Sequence, residues 1–105
     1  MHLYIKSALS LDDLAIHIAE AAMPGFIREK REGLNLGGGE YFKFSKDDME
    51  ILLVCNDSEH AEVFVESHEQ FSYYCYARRG AHTFLDQMLI FLSNSGLACE
   101  LADDE

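Results

Sequence analysis

Two stretches of strict alternation constrain this chain most. Tyr41-Phe42-Lys43-Phe44 puts Phe42 and Phe44 on one side, and Met49 to Cys55 puts Met49, Ile51, Leu53 and Cys55 on one side. A period of two is the signature of strands with one buried face. Ser45-Lys46-Asp47-Asp48 between them is turn-forming, so the pair predicts an antiparallel hairpin. The opposite face of that hairpin then carries Tyr41 and Lys43 from one strand, and Glu50, Leu52, Val54 and Asn56 from the other.

The rest of the chain fits around this hairpin. Residues 2–7 alternate, with Leu3 and Ile5 facing one way, and predict a first strand. Ser10 reads as an N-cap, with Asp12 and Asp13 in the following turn. Leu11, Leu14, Ala15, Ile18, Ala19 and Ala22 recur at helical spacing, so a helix is expected over 11–22, stopped by Pro24-Gly25. Residues 25–40 give the weakest signal: Phe26-Ile27-Arg28 is compatible with a strand, and Gly33 and Gly37-Gly38-Gly39 mark turns. Val63-Phe64-Val65 and Phe71 to Ala77 predict two further strands. A second helix over 81–94 follows from Phe84, Leu85, Met88, Leu89, Phe91 and Leu92, with stop signals at Asn94 and Gly96. Leu97 to Leu101 completes the set as a last strand. The expected fold class is α+β: a two-layer α/β sandwich, mainly an antiparallel sheet with two helices on one face, forming a single domain over residues 1–105.

Charge narrows the function. The 105 residues hold 8 basic and 19 acidic side chains, a formal net charge of −11. That excess argues against direct binding of nucleic acid and against adhesion to an anionic membrane. No apolar run approaches a membrane span, and the first residues lack the pattern of a signal peptide, so a cytoplasmic protein is expected. The three cysteines Cys55, Cys75 and Cys99 sit in apolar stretches at spacings that match no zinc or redox motif, and read as buried free thiols.

Motifs for chemistry are weak. The glycines 33 and 37–39 spell neither a dinucleotide fingerprint nor a phosphate loop, and Glu40 directly after them would repel phosphate. His60 and His68 stand among carboxylates without the spacing of a metal motif, and read as surface histidines. His17 falls on the polar side of the first helix, His82 has no marked nucleophile beside it, and His2 carries no signal. Asp12-Asp13 and Asp47-Asp48 are explained by cap and turn roles. No catalytic residue, metal or cofactor is expected.

The acid itself is unevenly placed. Residues 1–31 are balanced, whereas residues 32–71 carry two basic and ten acidic groups, densest at Asp57, Glu59, Glu62, Glu66 and Glu69. Such a stretch either solubilises the surface or attracts a basic partner. The small basic group Arg28, Lys30 and Arg31 reads as a solvated edge or a source of internal ion pairs. The strand phases turn Glu62, Phe64, Glu66, Tyr74 and Tyr76 away from the helices, giving an open face of aromatics among carboxylates. Tyrosines there would serve as partner anchors. The same face could instead be covered by residues 25–40, through Phe26, Ile27, Leu34 and Leu36, or by a second copy.

Gly38-Gly39-Glu40-Tyr41-Phe42, the apolar strand ending Cys55-Asn56-Asp57, and an aromatic strand before the last helix are similar to small immunity proteins of bacterial toxin systems, including contact-dependent growth inhibition and other polymorphic toxins. The resemblance spans about residues 35–95. It implies a non-enzymatic, stoichiometric inhibitor, monomeric when free, that binds a cognate toxin domain, often a basic nuclease. Asp57, Glu59, Glu62, Glu66 and Glu69 would meet the basic cleft, and Phe64, Tyr74 and Tyr76 would be the anchors. Two alternatives remain open: an acidic secretion chaperone that binds an effector segment as a dimer, and a small ligand-binding domain or enzyme using a cleft near Gly37–Gly39 and His82.

Overall fold

The computed structural model describes residues 2–33, 39–55, 71–78 and 82–102. In chain order these form β1 (His2–Lys6), α1 (Leu11–Ala22), β2 (Ile27–Gly33), β3 (Gly39–Lys46), β4 (Met49–Cys55), β5 (Tyr73–Arg78), α2 (His82–Asn94) and β6 (Ala98–Ala102). The six strands make one sheet in the order β2-β3-β4-β5-β1-β6, antiparallel throughout. The strand expected at Val63–Val65 lies outside the described residues.

Local chemistry sets the element ends. The Ser10 side chain accepts from the Asp13 N–H at 3.2 Å, and Asp12 and Asp13 meet the positive end of the α1 dipole. Past α2, Gly96 takes φ 100°. There the Gly96 N–H reaches the Ser93 carbonyl at 3.2 Å, and the Leu97 N–H reaches the Leu92 carbonyl at 3.1 Å. This paired closure needs a left-handed residue, which glycine adopts without cost. The β3–β4 turn is tighter than the sequence suggests: Lys46 pairs with Met49, leaving Asp47-Asp48 to turn, with Asp47 at φ 54°. Strand β5 begins at Tyr73 rather than Phe71. The Ser72 hydroxyl donates to the Ser7 carbonyl at 2.9 Å, so a side chain replaces the backbone ladder there.

Both helices cover one face. Leu14, Ala15, Ile18 and Ala22 of α1 and Leu85, Met88 and Leu92 of α2 close over Leu3, Ile5, Phe42, Phe44, Ile51, Leu53, Tyr73, Cys75 and Ala77. Each of the larger of these contributes about 1.5–3 kcal/mol by leaving water. The strand phases expected for the hairpin and for β1 are those observed.

The described parts of this stretch, residues 25–33 and 39–40, do not fold over the other face. Strand β2 instead extends the sheet as an edge, paired with β3 from Ile27↔Ser45 to Gly33↔Gly39. Phe26 packs into the helix-side core, while Ile27 stays 64% exposed; Leu34 and Leu36 lie outside the described residues. The physical reason is in the composition of β2. Arg28 to Glu32 is an unbroken charged run, which keeps its hydration at an edge and would lose it under a covering layer. Lys30 bridges Asp12 and Glu40 at 3.1 Å each, and Arg31 meets Glu29 at 3.0 Å.

Candidate partner-binding surface

The face away from the helices is built by cross-strand register. Glu100, Tyr4, Tyr74, Val54 and Tyr41 fall in one row, and Ala102, His2, Tyr76, Leu52 and Lys43 in the next. Residues paired across antiparallel strands share a face and touch. Tyr74 and Tyr76 stack at 6.1 Å between centroids, and the His2 ring meets Tyr74 edge-on at 5.1 Å. Tyr4 lies 5.9 Å from Phe71 and 6.1 Å from Tyr74.

This face is closed, not open. Tyr4 is 0% exposed, Val54 0%, Leu52 1% and Tyr74 4%. The expectation that Tyr74 stands on open surface is corrected by that burial; Tyr76 is half-buried. Among the described residues, Phe71 packs on this second cluster. Burial disfavours the phenolate, so the Tyr74 hydroxyl is pushed up to about 12. Tyr76 is also raised by burial, with the Arg78 guanidinium pulling the other way from 5.9 Å off its ring.

At the same face Glu50 is a buried carboxylate held between two cations. Its oxygens lie 3.5 Å from Lys43 Nζ and 3.4 Å from Arg78 Nη1. Glu50 opposes Arg78 in register, so the sheet places this pair without any loop. Sequence phase assigns Glu50 to this face, yet nothing local marks it as buried. His2 and Tyr4 were also missed as members. Their signal is the β1 alternation itself, which turns them opposite to Leu3 and Ile5.

Of the residues expected at a partner interface, Asp57, Glu59, Glu62, Phe64, Glu66 and Glu69 lie outside the described residues, as do His60 and His68. What the structure places is the pair of strands that carries them. Residues 56–72 connect β4 to β5, which are neighbours paired as far as Cys55↔Tyr73.

The other candidates resolve into structural roles. His17 is not merely solvated: its Nε2 lies 2.9 Å from Ser95 Oγ, whose own proton goes to the Leu92 carbonyl at 2.7 Å. Ser95 therefore accepts from His17, and the contact ties α1 to the end of α2. No disulfide joins the cysteines, with Cys75 fully buried and Cys55 and Cys99 half-buried. Burial holds the Cys75 thiol well above its ordinary range and pushes Cys99 up to about 11, which removes thiolate character. Of the cleft expected for a ligand, Gly37 and Gly38 lie outside the described residues, Gly39 opens β3 and His82 opens α2. Among the described residues no three His, Cys, Asp or Glu side chains gather to hold a metal. None of their helices is long and apolar enough to cross a membrane. No family model, curated protein or solved structure matches this chain.

Proposed function

We propose that this chain is an immunity-type inhibitor, which binds a basic bacterial toxin domain one-to-one in the cytoplasm and performs no chemistry of its own. One observation carries the reading. Strands β4 and β5 are adjacent and antiparallel, a connection that two to five residues can make, yet residues 56–72 join them. A connection longer than the fold needs is commonly functional. This one holds Asp57, Glu59, Glu62, Glu66 and Glu69, with two histidines and no lysine or arginine.

In this reading the five carboxylates steer and hold a cationic cleft, with Phe64 as a desolvated anchor. Tyr76, half-buried and backed by Tyr74, is the second anchor. Tyr74 acts from beneath by fixing Tyr76.

The test is affinity capture with the tagged full chain from its native host, at low and at high salt, read by mass spectrometry and native mass. Retention of one folded basic domain at one-to-one stoichiometry, weakened by salt and by neutralising Asp57, Glu59 and Glu62, is the expected result. An unfolded effector segment on a dimer would move the assignment to a secretion chaperone. No retained protein at either salt would refute both.

A further inference from the structure

The sheet has two edges, and they differ in kind. On β2, Arg28-Glu29-Lys30-Arg31-Glu32 places a charge at every position, which guards an edge against added strands. Strand β6 is Ala98-Cys99-Glu100-Leu101-Ala102, with one charge and no lysine or proline. Among the described residues β6 pairs only with β1, so one side of its backbone offers a row of donors and acceptors.

A second observation concerns the core beside that edge. Leu101 and Cys99 of β6 and Leu97 just before it all pack against the helix-side core, yet each remains only half-buried. The core therefore ends at this edge on an apolar strip that is partly wet. One more strand would cover it. The opposite side of β6 carries Glu100, in register with Tyr4, and Asp103-Asp104-Glu105 follow β6 in the sequence.

Together these features define what fits. We infer that β6 accepts an extended segment from a protein partner, whose side chains alternate between apolar residues on the side of Leu101 and Cys99 and basic residues on the side of Glu100. Backbone hydrogen bonds supply affinity, and the alternation supplies register. A second copy of this chain fits poorly, because an antiparallel β6–β6 pair centred on Glu100 would set two glutamates opposite one another. The inference stands apart from the toxin reading, since it uses none of residues 56–72.

The experiment uses the full chain and three acetylated, amidated heptapeptides. One alternates valine and lysine, one has the same composition in two blocks, and one alternates valine and glutamate. Calorimetric titration should show the first binding about tenfold more tightly than either control. Amide hydrogen exchange should slow about tenfold or more at alternate residues of β6, and not along β2. Glu100→Lys, at an exposed position, should reverse the preference between the lysine and glutamate peptides. Equal affinity for the block peptide would overturn the inference, as would protection outside β6 or no saturable binding. Concentration-dependent dimerisation that protects β6 without peptide would overturn it in favour of a second copy.

Discussion

The two faces of one sheet are both dry, and they are dry in different ways. The helix side is aliphatic and phenylalanine-rich, closed by two amphipathic helices that the chain supplies from either end of its strand series. The other side is built from Tyr4, Tyr74, Leu52, Val54 and Phe71, with Glu50 fixed between Lys43 and Arg78. Burial of hydrocarbon stabilises the first without regard to orientation. The second depends on ring contacts and an ion pair, whose worth depends on geometry. The helix side should therefore dominate stability, and the tyrosine side should respond to charge and pH.

The largest expected effect probes the helix side. Leu53 is fully buried there, so Leu53→Ala should cost about 2–5 kcal/mol in urea unfolding. A loss under about 1 kcal/mol would mean that the two helices are not packed as described. Glu50→Gln tests the second face. It leaves Lys43 and Arg78 without their shared anion and should cost about 1–3 kcal/mol, held below a fully buried pair because Arg78 is half exposed. A neutral result would make that face indifferent to charge and break the comparison.

Two neighbours on β5 sharpen it. Tyr73 faces the helices, and its hydroxyl donates to the Leu9 carbonyl at 2.6 Å. Tyr73→Phe should therefore cost about 1 kcal/mol at neutral pH. Tyr74 faces the other way, and Tyr74→Phe keeps the ring and should change stability by less than about 0.5 kcal/mol at neutral pH. Burial raises both hydroxyls, so the alkaline limb tests Tyr74 against its own phenylalanine variant rather than against Tyr73. Burial raises the Tyr74 hydroxyl from its ordinary 10 to about 12. Its neutral form is favoured in the fold, so this share of stability is complete below the unfolded value and is lost as pH climbs from about 10 to about 12. Urea midpoints measured across that window should fall more steeply in the native chain than in Tyr74→Phe. Equal slopes would show that Tyr74 is not desolvated.

The elements with internal periodicity were readable from residues alone. Helix α1 matches its expected span because Ser10 and Pro24-Gly25 bracket an apolar stripe. Phe42, Phe44, Ile51 and Leu53 face the helices because alternation leaves no other phase. Strand β2 was indistinct for the opposite reason. An edge strand of Arg, Glu and Lys buries little and so carries no periodic signal, and it exists because β3 offers it a ladder. The burial of Tyr74 was illegible as well, since it depends on Tyr4 and Phe71, brought in by pairing between β1 and β5. The His17–Ser95 contact spans 78 positions and leaves no local trace. Of the candidate interface, only the phase of Tyr74 and Tyr76 could be read and checked.

The placement of β1 has a consequence for how the chain acquires its structure. It is the first strand made, yet both of its neighbours, β5 and β6, come last. The β2–β3 and β3–β4 hairpins can form as they leave the ribosome, because their contacts are local. Leu3, Tyr4 and Ile5 must wait, exposed, until nearly the whole chain is available to enclose them. Closing that long loop is slow compared with hairpin formation. Once docked, β1 pairs with β5 on one side and β6 on the other, and so joins β6 to the hairpin half of the sheet. A nascent chain paused before β6 would display β1 as a sticky edge, so speed of completion, more than final stability, governs whether copies of this protein stay apart while they fold.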